Sequence, residues 1–580
     1  MDHVLNMDFY TKFSALDLFF FVIVIILSLT IGLYHGYRSR KIANTREEYL
    51  LGGRTMGLFP VTASLVATTV SGSTLLGQTA EVYAYGTQAW LLWLVCFVMS
   101  VIVPVIFLPV FLEIGDFSSF KYLELRFSRS LRLFASCLYT ITSLLYLPVT
   151  VYVPALAFHE VTGLSVHLTT GVLTLLCVTY TAFGGIKAVV WTDVFQITLT
   201  LISTVIVMLV GVNQAGGLEN VWKTADRGKR LVFFNFDPDP TVRSTFWQYM
   251  FSMTFVATYQ FGINQTNIQR FLALSNLRKM HLAIWGLTLS FAVIMTISQT
   301  IGATIYTTYE TCDPFSAGVV RKVDQILPHF IEQKTALFPG FTGIFIAGIF
   351  AASLSSTSSF LNTLSGSIYN DFLARRLRKL SEASANNVVK ILVVILGIAQ
   401  MILLLVVEKL GTIFSMTAQC MAIATSALLG LFTLGMLCRR VNTTGALCGS
   451  LASLAVVLVL IIGGQYREPD PFLPLRTDGC NSTDFNITLS SLTTTREISK
   501  LEGSAGKVPW IFRIHFLYHA LVGFSVNMIV GLVVSYLTGG CPSVDEKLLA
   551  TFLRRKQEKS EEEIELKVGK EDENGKNHNS

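Results

Sequence analysis

Two short stretches concentrate oxygen-bearing side chains inside otherwise apolar runs. Ala67-Thr68-Thr69-Val70-Ser71-Gly72-Ser73-Thr74 holds six small polar or glycine residues among eight. In lipid, such a segment either packs closely on neighbouring helices or breaks, freeing backbone carbonyls for a cation or a substrate. Ala351-Ala352-Ser353-Leu354-Ser355-Ser356-Thr357-Ser358-Ser359, followed by Asn362, is dense in hydroxyls. These can bond back to carbonyls one turn earlier. They can equally join the carbonyls of a partner helix as neutral oxygen ligands for a hard cation, a set that suits sodium. Asp193, in Trp191-Thr192-Asp193-Val194, is a third candidate. A carboxylate at a membrane edge anchors the chain at the interface or marks an ion pathway.

The elements that must position these groups are membrane helices. Of 580 residues, 52% are hydrophobic and 14% charged, against roughly a quarter charged in soluble domains. About thirteen apolar runs are long enough to cross the bilayer: 18–34, 56–78, 90–111, 133–153, 168–183, 194–212, 246–263, 282–306, 338–367, 391–407, 413–437, 445–462 and 516–537. The fold class is therefore an all-α polytopic membrane protein.

Short basic loops alternate with the rest. They hold Arg38/Arg40/Lys41/Arg46/Arg54, Lys121/Arg126/Arg129, Arg270/Arg278/Lys279, Arg375/Arg376/Arg378/Lys379 and Arg439/Arg440. This predicts those loops to be cytoplasmic, with residues 1–17 outside and a cytoplasmic tail, 538–580, disordered from 545 onward. Lys223, Arg227, Lys229 and Arg230 in one opposite loop, with Arg321 and Lys322 in another, run against the alternation. No cleavable signal peptide is expected, because the first run follows an acidic start.

Asn481 and Asn486 lie in sequons within the long loop 463–515, placed outside, and are the expected glycosylation sites; the sequons at Asn264 and Asn442 fall on cytoplasmic ends and should stay bare. Cys312 and Cys480 are the two cysteines placed outside, where they either pair or remain free thiols. Enzyme signatures are missing: there is no P-loop, HExxH or Gly-x-Ser-x-Gly segment, and no cofactor is expected. The net charge of +6 sits in short loops, where topology accounts for it without nucleic acid.

Several spaced segments resemble the sodium/solute symporter family, within it the branch of monocarboxylate, iodide and multivitamin transporters. They are Tyr49 to Arg54, Tyr180 to Asp193, Asp237-Pro238-Asp239-Pro240, Asn264-Gln265 with Gln269-Arg270, Cys312-Asp313-Pro314, and Gly435-Met436 with Arg440 and Gly445-Ala446. The resemblance implies a LeuT-type core of two inverted five-helix repeats, about 56–212 and 246–437, within a transporter domain 18–537. It implies a sodium site formed by the Ala67, Val70 and Ala352 carbonyls with the Ser355 and Ser356 hydroxyls, and Asp193 on the inner sodium pathway. On the substrate side it points to Thr74, Gln78 and Phe261. There the chain departs from the branch: Gly77 to Gly86 lacks the branch's proline and arginine, and Thr74 stands where the iodide carrier has glutamine.

The expected function is sodium-coupled import of a small organic anion such as a monocarboxylate across the plasma membrane. An uncharged sugar, polyol or vitamin is the alternative cargo. A non-transporting sensor or sodium leak channel on the same scaffold is the rival reading.

Overall fold

The apolar runs fold as helices because a backbone in hydrocarbon must satisfy its own hydrogen bonds. The structure is a computed structural model that describes residues 13–42, 45–320, 322–334, 339–407, 413–467, 470–480, 508–540 and 544–554, and these contain no strand. Ten helices among them are long and apolar enough to span a membrane.

The difference from thirteen runs has local causes. Run 56–78 is broken into Leu58–Thr69 and Gly72–Tyr85. Run 246–263 is a π segment, Gln248–Met253, continued by the short helix Thr254–Gly262. Runs 168–183 and 194–212 belong to one 49-residue stretch, Val166–Gln214, bent at Gly185. Gly185 has φ 59° and ψ −160°, and a Cβ there would lie 2.6 Å from the Tyr49 carbonyl oxygen. Only glycine meets both demands.

At the centre runs the hydroxyl-rich helix Phe341–Ile368, packed against Val166–Gln214, Arg129–Thr162, Ala15–Ile42 and Leu58–Thr69. It is buried on nearly every side, so its serines face protein rather than lipid. Small residues permit this approach: a Cβ on Gly348 would meet Ser203 Oγ at 2.5 Å, and one on Gly343 would meet the Asp17 backbone at 2.1 Å. Asp17 was expected in the outer N-terminal segment. Instead it lies inside the helix Ala15–Ile42, buried, and its carboxylate accepts the Gly343 N–H at 2.8 Å.

One face of the molecule is held by loop contacts. Cys312 and Cys480 form a disulfide. Arg243 bridges Glu81 at 2.6 Å and Asp470 at 3.1 Å, and His515 Nε2 lies 3.3 Å from Asp470. Three of the basic residues that ran against the alternation find partners here. Lys223 pairs with Glu219 and Arg227 with Glu310. Arg230 is fully buried, donates to the carbonyls of Gly228, Leu473, Pro474 and Tyr83, and lies over the Tyr306 ring. A cation spent on carbonyls and an aromatic face carries little topological weight.

On the opposite face the start of the tail is ordered, contrary to expectation. Ala550 N–H donates to the Met436 carbonyl at 3.1 Å, Arg439 pairs with Glu546 at 2.6 Å, and Arg554 pairs with Glu113 at 2.6 Å. Residues 555–580 lie outside the described residues, as do 1–12, Arg321 and both expected glycosylation sites, Asn481 and Asn486. Of the sequons expected to stay bare, Asn264 is buried and Asn442 caps the helix Thr443–Gly464, its amide donating to Thr538 at 2.7 Å.

Candidate cation site at a broken helix

The helix Leu58–Thr69 ends because Val70 (φ −93°, ψ 89°) and Ser71 (φ −92°, ψ 171°) leave helical geometry, and Gly72–Tyr85 then begins. Thr74 locks the break. Its Oγ1 accepts the Ser71 N–H at 3.3 Å and donates to the Thr69 carbonyl at 3.3 Å. With Ser71 N–H turned to Thr74, the Ala67 carbonyl loses its place in the helical ladder. The Val66 carbonyl keeps its place, accepting from Val70 at 2.8 Å. Gly72 lies so near the hydroxyl-rich helix that a Cβ would be 2.7 Å from Ser353 Oγ. The break therefore abuts the serine cluster.

Within that cluster the two readings of the hydroxyls separate residue by residue. Thr357 bonds back to the Ser353 carbonyl at 2.8 Å, and Ser358 donates to the Ser355 carbonyl at 3.1 Å. Ser356 reaches both ways, to Ala352 O at 3.3 Å on its own helix and to Thr68 O at 3.4 Å on the broken one. Ser353 Oγ is buried and makes no hydrogen bond, and Ser355 Oγ, also buried, makes none along its own helix and faces the Asp193 carboxylate. A fully buried hydroxyl without a partner needs an explanation. Back-bonding accounts for Thr357 and Ser358 but not for Ser355.

Asp193 does not open a helix, as its expected place at the entry to a span required. It sits mid-helix, eight positions after the Gly185 bend, with 0% exposure. One carboxylate oxygen accepts from Ser64 Oγ at 2.5 Å and from Arg270 at 3.3 Å, and the Ser355 hydroxyl also faces the carboxylate. Arg270, counted from the sequence as a loop charge, is instead 1% exposed and is the buried counter-ion of Asp193. It also donates to Ser64 Oγ at 2.7 Å, to the Thr266 carbonyl at 2.8 Å and to the Ser359 hydroxyl.

The short helix Gln265–Leu272 that carries Arg270 is buried throughout and fixed by its amides. Gln265 donates to the Phe117 carbonyl at 2.6 Å and accepts from Ser119 N–H at 2.7 Å. Gln269 donates to the Leu50 carbonyl at 2.5 Å and accepts from Thr363 at 2.6 Å. The structure thus joins Ser64, Asp193, Arg270, Ser359, Thr68 and Ser356 in one polar network across four helices. From the sequence, Asp193 and Ser356 carried roles, Thr68 and Ser359 stood only as members of the two polar stretches, Arg270 counted as a loop charge and Ser64 was unmarked.

The substrate-side candidates divide. Thr74 spends its hydroxyl on the break itself. Gln78, one turn further on, is buried with its Oε1 unpartnered, and Phe261 is buried in the core. Two residues were missed. The Tyr146 hydroxyl lies against the Ser71 and Ser73 hydroxyls, its ring edge-on to Phe360 with centroids 5.3 Å apart. Gln196, one turn after Asp193, is fully buried with neither amide atom partnered.

A model of the sodium:solute symporter family matches residues 49–453. The chain is 32% identical over 551 residues to sodium-coupled monocarboxylate transporter 1 of Mus musculus, covering 93% of this chain and 90% of that one. It is 33% identical over 540 residues to the Homo sapiens form, with coverages of 91% and 88%. To the sodium-dependent multivitamin transporter of Oryctolagus cuniculus it is 31% identical over 533 residues, covering 91% and 83%. The substrate-bound, outward-open structure of a Na+-coupled sialic acid symporter superposes with a TM-score of 0.72 at 21% identity, covering 93% of this chain and all of that one, and so shares the fold. The long apolar helices, the helix broken beside a serine-lined partner and these matches agree: this chain belongs to the sodium:solute symporter family.

Proposed function

We propose that this protein is a sodium-coupled symporter that imports a small organic anion, of the monocarboxylate class, across the plasma membrane. The observation that carries the reading is the helix break at Val70 and Ser71, set against a buried serine-rich helix whose Ser356 hydroxyl reaches the Thr68 carbonyl. Sodium would be held by the Ala67, Val70 and Ala352 carbonyls with the Ser355 and Ser356 hydroxyls, and would leave past the Asp193 carboxylate. The architecture we propose is thirteen passes around two inverted five-helix repeats, 56–212 and 246–437, with the N-terminus and the Cys312–Cys480 face outside and the C-terminus inside. Each sodium ion moving down 100 mV supplies roughly 2.3 kcal/mol before any concentration term.

The monocarboxylate assignment draws on the names of the relatives. It is compatible with the charges near the site, where Arg270 is already neutralised by Asp193. The countercharge for a carboxylate then falls to the bound sodium ion, which makes anion binding depend on sodium. Labelled monocarboxylates, a sugar, a polyol and a vitamin, offered in sodium and in choline medium, test this. Sodium-dependent, electrogenic uptake of a monocarboxylate is expected. Uptake of an uncharged solute alone would replace the cargo. Sodium current without uptake of any solute would favour the leak channel.

A further inference from the structure

The short helix Lys121–Arg126 packs against the ordered start of the tail. On this face two cavities, of about 490 and 400 Å³, lie side by side and share Asn370 as a wall. Basic loops are what topology asks of a cytoplasmic face, yet the two cavities differ in charge. The larger holds Arg46 and Arg54 against Glu47, Asp116 and Glu382, so its carboxylates outnumber its cations. Both cations are paired there, Arg46 with Glu382 at 2.6 Å and Arg54 with Glu47 at 3.3 Å.

The smaller cavity reverses the balance. Lys121, Arg129, Arg132 and Arg375 line it against Glu124 and Asp371 alone. Both of those carboxylates are already neutralised. Asp371 is buried and accepts from Arg132 at 2.6 Å, from Ser118 at 3.1 Å and from Ser136 at 2.6 Å. Glu124 accepts from Lys121 at 3.0 Å and from Arg132 at 2.5 Å. Arg129 and Arg375 remain, and neither meets a carboxylate among the described residues. Cations of one sign gathered in a concave site raise the local concentration of anions.

We infer that this cavity binds a phosphate monoester, the group borne by a phosphorylated inositol headgroup or by a soluble phosphate. Its charge near −2 answers two unpaired guanidiniums, and its three oxygens suit their forked N–H groups. A carboxylate carries a single charge and would leave one guanidinium unmet. Arg129 opens the helix Arg129–Thr162, and Arg375 follows the end of the hydroxyl-rich helix Phe341–Ile368. The cavity therefore lies where spanning helices leave the bilayer, at a depth that lipid headgroups reach.

The test places the full chain in phosphatidylcholine nanodiscs, which leave both faces open, and reads binding as the rise in melting temperature with ligand concentration. One arm adds a bisphosphorylated phosphatidylinositol to the disc, and the other adds inositol trisphosphate to the solution. A rise in the lipid arm assigns a headgroup; a rise in the soluble arm alone assigns a soluble phosphate. Arg129→Gln with Arg375→Gln breaks no ion pair among the described residues, so without ligand the variant should melt with the parent. It should raise the concentration needed about 25-fold, about fivefold for each basic residue removed. Arg375→Gln alone, at an exposed position, gives the fivefold reading should the pair fail to fold. Arg376→Gln with Arg378→Gln removes the same charge from exposed positions outside the cavity. Screening by salt should hold that control within about twofold of the parent. No rise in either arm, an equal loss in the control variant, or an equal rise from phosphatidylserine at matched charge would overturn the site.

Discussion

Replacing Ser355 with alanine probes the proposed sodium site with little disturbance to the fold. The side chain is 0% exposed and makes no bond along its own helix; its polar neighbour is the Asp193 carboxylate. Losing that single contact costs about 1 kcal/mol. Without sodium, Ser355→Ala is therefore expected to melt slightly below the parent. With sodium the loss is larger. Loss of an oxygen ligand worth about 1–3 kcal/mol weakens the ion by a factor of about 5 to 160. At sodium one hundred times its Kd, mass action stabilises the parent by about 2.7 kcal/mol, and a tenfold loss leaves about 1.4 kcal/mol.

The assay is thermal melting of the purified protein across a sodium titration, with choline holding ionic strength constant. Sodium dependence of uptake at matched surface density accompanies it. Ser355→Thr keeps the oxygen and should be milder. Ser356→Ala removes the other proposed hydroxyl, which contacts carbonyls at 3.3 and 3.4 Å. That variant should also lose a little stability without sodium. An unchanged sodium-dependent shift in Ser355→Ala and in the double alanine variant would refute the site and leave the fold standing.

Three further expectations follow from the same geometry. Arg270→Met strands the buried Asp193 carboxylate at a cost of about 3–5 kcal/mol and should collapse the monodisperse yield. Adding Asp193→Asn should restore most of that yield, and a double variant no better than the single one would contradict the pairing. Near the disulfide, burial pushes His515 down to about 4 against the pull of Asp470. Between about pH 6.5 and the folded value the unfolded chain binds a proton that the folded chain does not, so stability should fall with falling pH, by on the order of 3 kcal/mol. Burial would raise Asp470, but His515, Arg467 and Arg243 hold it at about 2, so its contribution is lost only at lower pH. Melting of His515→Gln against pH should show a flatter slope. Finally, Asn481→Gln with Asn486→Gln should abolish glycosidase-sensitive mass on expression in eukaryotic cells, whereas Asn442→Gln should not; sugar on Asn442 would invert the proposed orientation.

Membrane class and helix content were legible in the sequence because hydrocarbon leaves the backbone few choices, and long apolar runs announce themselves. The small polar stretch 67–74 and the hydroxyl run 351–359 were legible for the same reason: in lipid, residues that cannot pay for themselves by burial stand out. Both segments were visible as alternatives, interface or break, back-bonding or ligation. The break itself shows only in the torsions at Val70 and Ser71, and only the fold separates Thr357 and Ser358, which bond back along their helix, from Ser355, which does not. Arg270 was misread because a basic residue between two spans looks like a loop charge, and only the fold brings Asp193 to within 3.3 Å of it. Arg230 looked like a topological exception until the carbonyls of a distant loop surrounded it. Spacing along the chain thus determined which segments enter the membrane and which of them are unusual. Tertiary contact decided which polar groups are paired and which are left free, because a hydrogen bond or ion pair between residues far apart in sequence exists only once the helices have packed.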